Sequence, residues 1–245
     1  MSLKLNNTKI VTSKLIKKFP CTPIHNNTFS FASASPDFRR KLLDRSIFIA
    51  EDKFSSTWFS YYRTLKHRNA LLKDNRISDI YAWNQKLAHE GELLTKYRKN
   101  FFDKTLVEFK NLLNILEPKN VFDFLNLISI NFSFGWKSEN KLLDSLEENL
   151  NKDLNRKTTT HGPHKSDITF LIKDIDARQT LSRGEQKFFS ILWSCAQHEV
   201  LKKHYEIEAT LIIDDIKSEL DERVFQLFIK LLKHNKNQRH PVTGY

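Results

Sequence analysis

Apolar residues in the first half of the chain recur at helical spacing and predict two long helices. From Phe54 to Leu72 they fall three, four and seven positions apart. A second stripe opens near Ser78-Asp79, ends before Pro118 and resembles a coiled-coil seam interrupted by Glu90 and Lys104. Its apolar members are Ile80, Trp83, Leu87, Leu94, Phe101, Leu106, Phe109, Leu113 and Leu116. We interpret residues 36–117 as a projecting helical arm; an ordinary helical bundle would use the same stripes.

The N-terminal residues predict shorter elements. Residues 3–11 alternate around Asn6-Asn7, which predicts a small hairpin, and the prolines and polar residues of 19–35 predict a loop. Ser35-Pro36-Asp37 is a helix start, with a capping hydroxyl, a proline in the first turn and an early acid. The helix that follows is expected to turn Phe38, Leu42 and Leu43 inward and Arg39, Arg40, Lys41 and Arg45 outward.

The pattern changes in the last third of the chain. Residues 167–172 alternate and lead into a Lys173-Asp174 turn, and residues 183–200 form an amphipathic helix. A buried apolar strand is predicted from Ala209 to Ile213, followed by a helix at about 221–233. Strand, helix, strand and helix in that order predict an α/β layer. We divide the chain into residues 1–35 (hairpin and loop), 36–157 (helical arm domain) and 158–245 (α/β lobe).

The amino-acid composition limits the kinds of binding partner and the cellular setting that we expect. The 40 Lys and Arg against 29 Asp and Glu give a formal charge of +11, which favours a polyanion such as nucleic acid, although the same surplus could serve solubility alone. No apolar run approaches the roughly 20 residues that span a bilayer, and residues 1–6 lack a secretory core. Cys21 and Cys195 suit no metal spacing, so we expect structural thiols in a reducing cytoplasm.

Three short segments could carry nucleotide chemistry. The strand Leu211-Ile212-Ile213 ends in Asp214-Asp215, where one carboxylate could hold Mg²⁺ through water and the other could activate the attacking water. Asp at a strand end is also a common cap, so the pair alone is a weak signal. Ser218-Glu219-Leu220-Asp221 matches the S-x-L-D segment of ATP-binding-cassette enzymes, and equally a helix cap made by Ser218.

The third segment is Leu181-Ser182-Arg183-Gly184-Glu185-Gln186, which resembles the LSGGQ signature of the same enzymes. A serine hydroxyl, a glycine and a helix N-terminus suit an anion, although a simply capped helix would look the same. Signature, helix, strand, paired carboxylates and S-x-L-D occur in the order of that superfamily, and this order makes the combination strong. No glycine of the chain is followed by lysine, so the phosphate-binding loop G-x-x-x-x-G-K-[ST] is missing from the sequence.

Several linked motifs make the chain resemble the RecF family in particular. The tract Thr160-His161-Gly162-Pro163-His164-Lys165-Ser166-Asp167 is similar to the G-P-H-R-D-D segment of that family, and Asp176-Ala177-Arg178 is similar to its D-A-R. Residues 35–45 match S-P-x-x-R-R-x-x-L-D-R, and residues 66–73 match (K/R)-x-R-N-x-L-L-K. The likeness runs from near residue 3 to about residue 235.

The resemblance implies part of an α/β ATP-binding-cassette head, of the type shared with SMC proteins, carrying a long helical arm. It implies a cytoplasmic protein of DNA replication, recombinational repair and the SOS response. Such a protein binds ATP and Mg²⁺, dimerises on ATP, binds single-stranded and gapped DNA, and works with RecR and RecO. By the same resemblance Asp214 would serve Mg²⁺ and Asp215 the water. The signature and S-x-L-D residues would bind nucleotide: Ser182, Arg183, Gly184, Glu185, Gln186, Ser218 and Asp221.

Three departures qualify these expectations. The phosphate-binding loop is missing, Lys165-Ser166 replaces an Arg-Asp pair, and the tail after Asn237 carries Pro241 where relatives have an apolar strand. We therefore expect a chain truncated at both ends, with uncovered apolar sheet surface, that hydrolyses ATP slowly or not at all. Its basic arm could contact DNA phosphates through Arg39, Arg40, Lys41, Arg45, Arg63, Lys66 and Arg68. The alternative is an ATP-independent interaction module, or a decayed fragment without function.

Overall fold

The fold was obtained as a computed structural model that describes residues 4–5, 8–25, 28, 30–116, 124–214 and 216–236. The strands are β1 (Lys4–Leu5), β2 (Thr8–Lys9), β3 (Cys21–Ile24), β4 (Ile128–Ser133), β5 (Asp167–Ile172), β6 (Ile175–Asp176) and β7 (Thr210–Ile213). The helices are α1 (Thr12–Lys18), α2 (Pro36–Ala50), α3 (Phe54–Lys73), α4 (Ile77–Leu116), α5 (Phe124–Leu127), α6 (Leu142–Glu148), α7 (Leu150–Arg156), α8 (Ala177–Thr180), α9 (Arg183–Tyr205), α10 (Ile216–Glu219) and α11 (Glu222–Lys236).

These elements form two compact units that are interleaved along the chain. We call the first the helical unit; it comprises Met1–Phe19, Ser35–Asp103 and Asn131–Thr169. The second, the signature unit, comprises Pro20–Ala34, Lys104–Ile130 and Phe170–Tyr245. The predicted domains, divided at residues 35 and 157, are continuous segments of the sequence, unlike these interleaved units. That division stays a prediction.

The helical unit contains the predicted hairpin, the long helix α3 and the part of α4 up to Asp103. β1 pairs antiparallel with β2, on either side of Asn6-Asn7, which lie outside the described residues. The Ser35 hydroxyl accepts a hydrogen bond from the Phe38 N–H, and this caps α2 as predicted. Helix α2 packs on α3, and α3 packs on α7. Much of the predicted stripe is buried, and Glu90, which interrupts it, accepts a hydrogen bond from the Ser60 hydroxyl at 2.5 Å.

An aromatic cluster forms the core of the signature unit. Phe31 stacks on Trp193 with ring centres 5.8 Å apart, and Phe170 meets Phe189 edge-on at 4.8 Å. Helix α9, predicted as amphipathic, is instead buried on every face from Phe188 to Leu201. A helix buried all round belongs to a core, so the helix itself is confirmed but its predicted polar face is wrong from Phe188 to Leu201.

The sheet formed by β3 and β7 differs from the prediction in two ways. β3 pairs in parallel with β7, so the predicted loop at 19–35 contains a strand despite Pro23. The prediction that Ala209–Ile213 is buried is also wrong, because Ile212 is 48% exposed and Ile213 37% exposed. Within the described residues this sheet has two strands, and Ile212 and Ile213 of β7 are left partly open to solvent. That agrees with the expectation of uncovered apolar sheet surface.

The other sheet orders its strands β4-β5-β6. β5 and β6 form a hairpin around the predicted turn, and both turn residues, Lys173 and Asp174, take positive φ as in a tight two-residue turn. Within the described residues, none of the helices combines the length and the apolar character that crossing a bilayer would need.

Candidate functional site

The signature segment begins helix α9 with a reciprocal cap. The Ser182 hydroxyl accepts from the Glu185 N–H at 3.3 Å, and the Glu185 carboxylate accepts from the Ser182 N–H at 2.7 Å. This capping box uses two polar groups that the sequence assigns to nucleotide. Ser182 and Arg183 are exposed, and a Cβ at Gly184 would have no atom within 4 Å apart from its chain neighbours and its own helix backbone. The start of α9 is therefore open to an approaching group.

Gln186 is turned back toward the preceding segment. Its amide donates to the carbonyl oxygens of Leu181 at 2.9 Å and Arg178 at 3.3 Å. These bonds tie the signature to the Asp176-Ala177-Arg178 segment, in which Asp176 caps α8 by accepting from the Arg178 N–H. In this arrangement the Gln186 amide orients the signature loop.

The S-x-L-D segment lies beside the signature helix. Lys187 of α9 donates to the Glu219 carboxylate at 2.6 Å and to its carbonyl oxygen at 3.2 Å. The cap of the next helix is Asp221, whose carboxylate accepts from the Val224 N–H at 2.9 Å. The interpretation that Ser218 caps this helix is thus corrected to Asp221; the Ser218 side chain lies outside the described residues.

The predicted metal and water-activating carboxylates lie at the end of β7. Asp214 is exposed, and its N–H donates to the Ile24 carbonyl oxygen of β3 at 3.0 Å. Asp215 lies outside the described residues. Across the described part of the chain, no three His, Cys, Asp or Glu side chains converge as metal ligands. Because the sequence contains no phosphate-binding loop, these residues do not by themselves make a complete MgATP site.

Three of the seven arginines and lysines predicted to contact DNA are held inside the helical unit. Arg39 pairs with both oxygens of Asp167 at 2.7 and 2.8 Å, and Arg40 donates to the Ser166 carbonyl oxygen at 2.6 Å. Arg68 is fully buried and pairs with Asp153 at 2.7 Å. The prediction that Arg68 reaches DNA is wrong in this structure, because its charge is neutralised away from solvent. Nor are Arg39 and Arg40 turned outward as expected.

The other four basic residues lie at or near the surface as two pairs. Lys41 and Arg45 are one turn apart on α2, and Arg63 and Lys66 are one turn apart on α3. Lys41, Arg63 and Lys66 are exposed and Arg45 is half-buried. Lys41 also pairs with Asp37 at 2.7 Å on the surface. These two pairs are what remains of the predicted DNA-binding surface.

The motifs that carry the family resemblance meet at residues 159–167, which we call the Gly-Pro-His tract. The Arg68 guanidinium donates to the Thr159 hydroxyl at 2.7 Å, and Asp153, its ion-pair partner, accepts from the Thr160 hydroxyl at 2.6 Å. Arg39 and Arg40 hold the other end of the tract. These arginines therefore fix a chain segment rather than bind a partner.

Arg98 was missed by the sequence analysis and lies at the centre of this network. It is fully buried, pairs with both oxygens of Asp44 at 2.7 Å, and donates to the Pro163 carbonyl oxygen at 2.6 Å. Burial alone would lower the pKa of Arg98, but the charge and hydrogen bonds of Asp44 raise it. The sequence did contain a signal for the burial of Arg98. It follows Leu94 by four positions and precedes Phe101 by three, so it lies on the same helix face as the apolar stripe.

His164 is the titratable group of the tract. Its Nε2 lies 3.0 Å from the Thr159 carbonyl oxygen, which can only accept, so Nε2 carries the proton. Its Nδ1 then accepts from the Tyr61 hydroxyl at 2.7 Å. Burial lowers the pKa of His164 to about 4, and burial raises the pKa of Tyr61. Both side chains are therefore neutral near pH 7.

A contact between two main-chain segments also holds the Gly-Pro-His tract in place. The Gly162 N–H donates to the Gly135 carbonyl oxygen at 3.1 Å, and both glycines take positive φ, at +134° and +89°. A Cβ at Gly135 would lie 2.2 Å from the Gly162 oxygen. Only glycine fits there.

Comparison of the fold places it among known proteins. A solved structure of the recombination mediator protein RecF with ATP, in the RecFOR pathway, superposes with a TM-score of 0.77 over 95% of this chain and 64% of that one, at 24% identity. A second RecF structure gives a TM-score of 0.76. The fold is that of part of an ATP-binding-cassette head with a long helical arm, as predicted.

Sequence comparison gives the family. The chain is 32% identical over 226 residues to the DNA replication and repair protein RecF of Nitrosococcus oceani, and 30% identical over 237 residues to that of Pseudoalteromonas translucida. These matches cover 89% and 92% of this chain and 61% and 62% of the relatives. The chain belongs to the RecF family and spans about three fifths of the length of these relatives. No protein-family model matches it.

Proposed function

We propose that this chain acts in DNA replication and repair as the DNA-contacting and signature-bearing part of a RecF-type protein. The observation that supports this most is the signature segment, which starts α9 with an open approach at Gly184, in a chain of the RecF family. In this proposal Ser182, Arg183 and Gly184 face ATP held by another copy or lobe, as the resemblance implies. Asp214 would serve Mg²⁺ and Asp215 the water, with Asp221 and Ser218 at the dimer interface.

DNA would be contacted through the two basic pairs, Lys41 with Arg45 and Arg63 with Lys66. Single-stranded and gapped DNA are the expected forms, with RecR and RecO as partners and a cytoplasmic setting, all by family resemblance. Lys and Arg that contact phosphates release counterions, so affinity must fall steeply with salt.

A salt titration of DNA binding tests this directly. In an Arg63→Ala, Lys66→Ala double variant, we expect the slope of log affinity against log salt to shrink by about 0.7–0.9 for each side chain that bound a phosphate. Lys233→Ala is the matched control, because Lys233 is exposed but lies in the signature unit. An unchanged slope in the double variant would remove these residues from the DNA surface.

The alternative, an ATP-independent interaction module, is favoured by one specific observation: the sequence lacks the loop that grips the β- and γ-phosphates. Phosphoryl transfer is catalysed mostly by positioning, so the chain alone should bind MgATP poorly. ATP turnover by the purified chain that Asp215→Asn abolishes would contradict this expectation. Little DNA affinity at any salt would instead favour the interaction module.

A further inference from the structure

A groove in the helical unit has no role in the functions described so far. It lies between α4 and the loop after β4 and has a volume of about 650 Å³. That volume is within the range of small-ligand sites and would hold one nucleotide. All the residues that line it belong to the helical unit: Glu92, Thr95, Lys96, Lys99, Asn100, Asp103, Phe134, Trp136, Ser138, Glu139, Asn140 and Lys141.

An aromatic row leads into the groove. Phe132 lies on β4, and Phe134 and Trp136 follow it at every second position. Their rings follow one another with centres 5.8 and 5.4 Å apart. The Trp136 indole is oriented by its N–H, which donates to the Asn140 carbonyl oxygen at 3.1 Å. A fixed ring at the edge of an open groove offers a stacking surface for a flat ligand.

Three lysines and three acids line the groove, and of the acids Glu139 is exposed. The Glu92 carboxylate accepts from the Leu142 N–H at 3.0 Å, and Asp103 pairs with Lys99 at 2.6 Å. Lys96 and Lys141 are exposed and form no ion pair with a described residue. An anionic group on the ligand would therefore be attracted to these two lysines.

A buried hydroxyl supplies the independent sign that something binds here. Thr95 lines the groove and is only 4% exposed, and its hydroxyl has no hydrogen-bond partner among the described residues. Buried polar groups are nearly always paired, because an unpaired one costs free energy. The hydroxyl is closed to solvent in the free chain, so a ligand atom would bond it only after a small movement of the groove wall, and that bond would remove the cost.

We infer that this groove binds one unpaired nucleotide of single-stranded DNA, with the base stacked on Trp136, the phosphate near Lys96 and Lys141, and a polar atom bonded to Thr95. A paired base inside a duplex has no free face to stack, so the groove selects single strands. This inference rests on the proposed DNA-binding function and names a site for it apart from the two basic pairs.

The test compares the full chain's affinity for three probes: an oligo-dT strand, an abasic strand of the same length, and free dTMP. We expect the abasic strand, which keeps the phosphates, to bind about tenfold more weakly, because a stacked base contributes about 1–3 kcal/mol and tenfold corresponds to about 1.4 kcal/mol. Trp136→Ala should weaken oligo-dT binding by about the same factor and leave duplex binding unchanged. Quenching of tryptophan fluorescence by oligo-dT should be smaller in Trp136→Phe.

Thr95→Val separates binding from folding. Valine has nearly the shape of threonine and removes a hydroxyl that is unpaired in the free chain, so thermal stability should hold or rise. Affinity for oligo-dT should nevertheless fall about threefold to tenfold. Lys96→Ala should also weaken binding, whereas Lys86→Ala on the same helix should not, since it lies about 15 Å further along the axis.

The outcomes are distinguishable. Equal affinity for the abasic and oligo-dT strands, or unchanged binding by the Trp136→Ala and Thr95→Val variants, overturns the groove inference while leaving DNA binding by the basic pairs intact. Quenching by dTMP that oligo-dT cannot displace would mean a free-nucleotide site and also overturns it. A chain that binds no DNA at all contradicts the proposed function and this inference together.

Discussion

At the scale of single residues, four arginines of the helical unit act mainly on their own chain. Arg39, Arg40, Arg68 and Arg98 each bond to the Gly-Pro-His tract or to an acid beside it. Their guanidinium groups can make several bonds in fixed directions, which suits holding a segment without regular structure. The charge of the sequence therefore overstates the charge available to DNA.

Replacing Arg98 should weaken the contacts that hold the Gly-Pro-His tract and lower the stability of the fold. Arg98→Met leaves Asp44 buried without its partner, and we expect the free energy of unfolding to fall by about 3–5 kcal/mol. Lys99→Met is the control, because Lys99 pairs with Asp103 at the surface and its loss should cost less than about 1 kcal/mol. Urea unfolding of both variants measures the difference; equal losses would show that the Arg98 pair contributes nothing special.

His164 should make stability depend on pH. Its pKa in the fold is about 4, against 6.5 in an unfolded chain, so the unfolded state binds more protons between these values. Stability from the neutral imidazole is complete above about pH 6.5 and is lost as the pH falls toward 4, by at most about 3 kcal/mol.

As the pH is lowered from 6.5 to 4, the urea midpoint of unfolding should fall less steeply in the His164→Gln variant than in the wild-type chain. The matched control, His89→Gln, changes an exposed histidine on α4 and should leave the wild-type pH profile in place. A wild-type midpoint that stays level from pH 6.5 to 4 would contradict the buried neutral state of His164.

At the scale of elements, caps decide where the signature and S-x-L-D helices begin. Ser182→Ala should lower stability by about 1 kcal/mol, since both bonds of the capping box depend on its geometry. Ser182→Asn should restore most of it, because asparagine caps equally well. Thermal unfolding separates the two variants, and equal melting temperatures would mean that the cap is not stabilising.

The sequence predicted the elements whose signals are local. The α2 cap, the long α3 and α4 helices and the β5–β6 turn all follow from nearby residues. β4 was missed although Ile128 to Ser133 alternates apolar and polar residues, and β3 was missed because Pro23 argued against a strand. The exposure of Ile212 depends on which strands lie beside β7, and no local pattern contains that information.

For the candidate site, the sequence located the signature but not the role of each residue. Ser182, Glu185 and Gln186 were predicted from type and order, yet their bonds within the loop depend on side-chain geometry. Arg68 was predicted as a DNA contact because its sequence neighbours are basic. Its burial is decided by Asp153 and Thr159, more than eighty positions away.

At the scale of the whole molecule, the exposed side chains of β7 should govern self-association. Apolar sheet surface with unpaired strand edges promotes aggregation. Ile212→Thr with Ile213→Thr keeps strand preference and should shift light scattering toward smaller species, whereas Val107→Thr, on an exposed helix position, should not. A wild-type chain that gives a sharp monomer peak at every concentration would contradict this expectation.

The contact between Gly135 and Gly162 has a consequence for how the family can vary. Most interfaces inside a protein adjust through side chains, so a change on one side is absorbed by a change on the other. Here two backbones meet directly, and a Cβ at Gly135 would collide with main chain, which has no alternative rotamer. A substitution elsewhere cannot relieve that collision, so saturation mutagenesis at position 135 should return glycine alone.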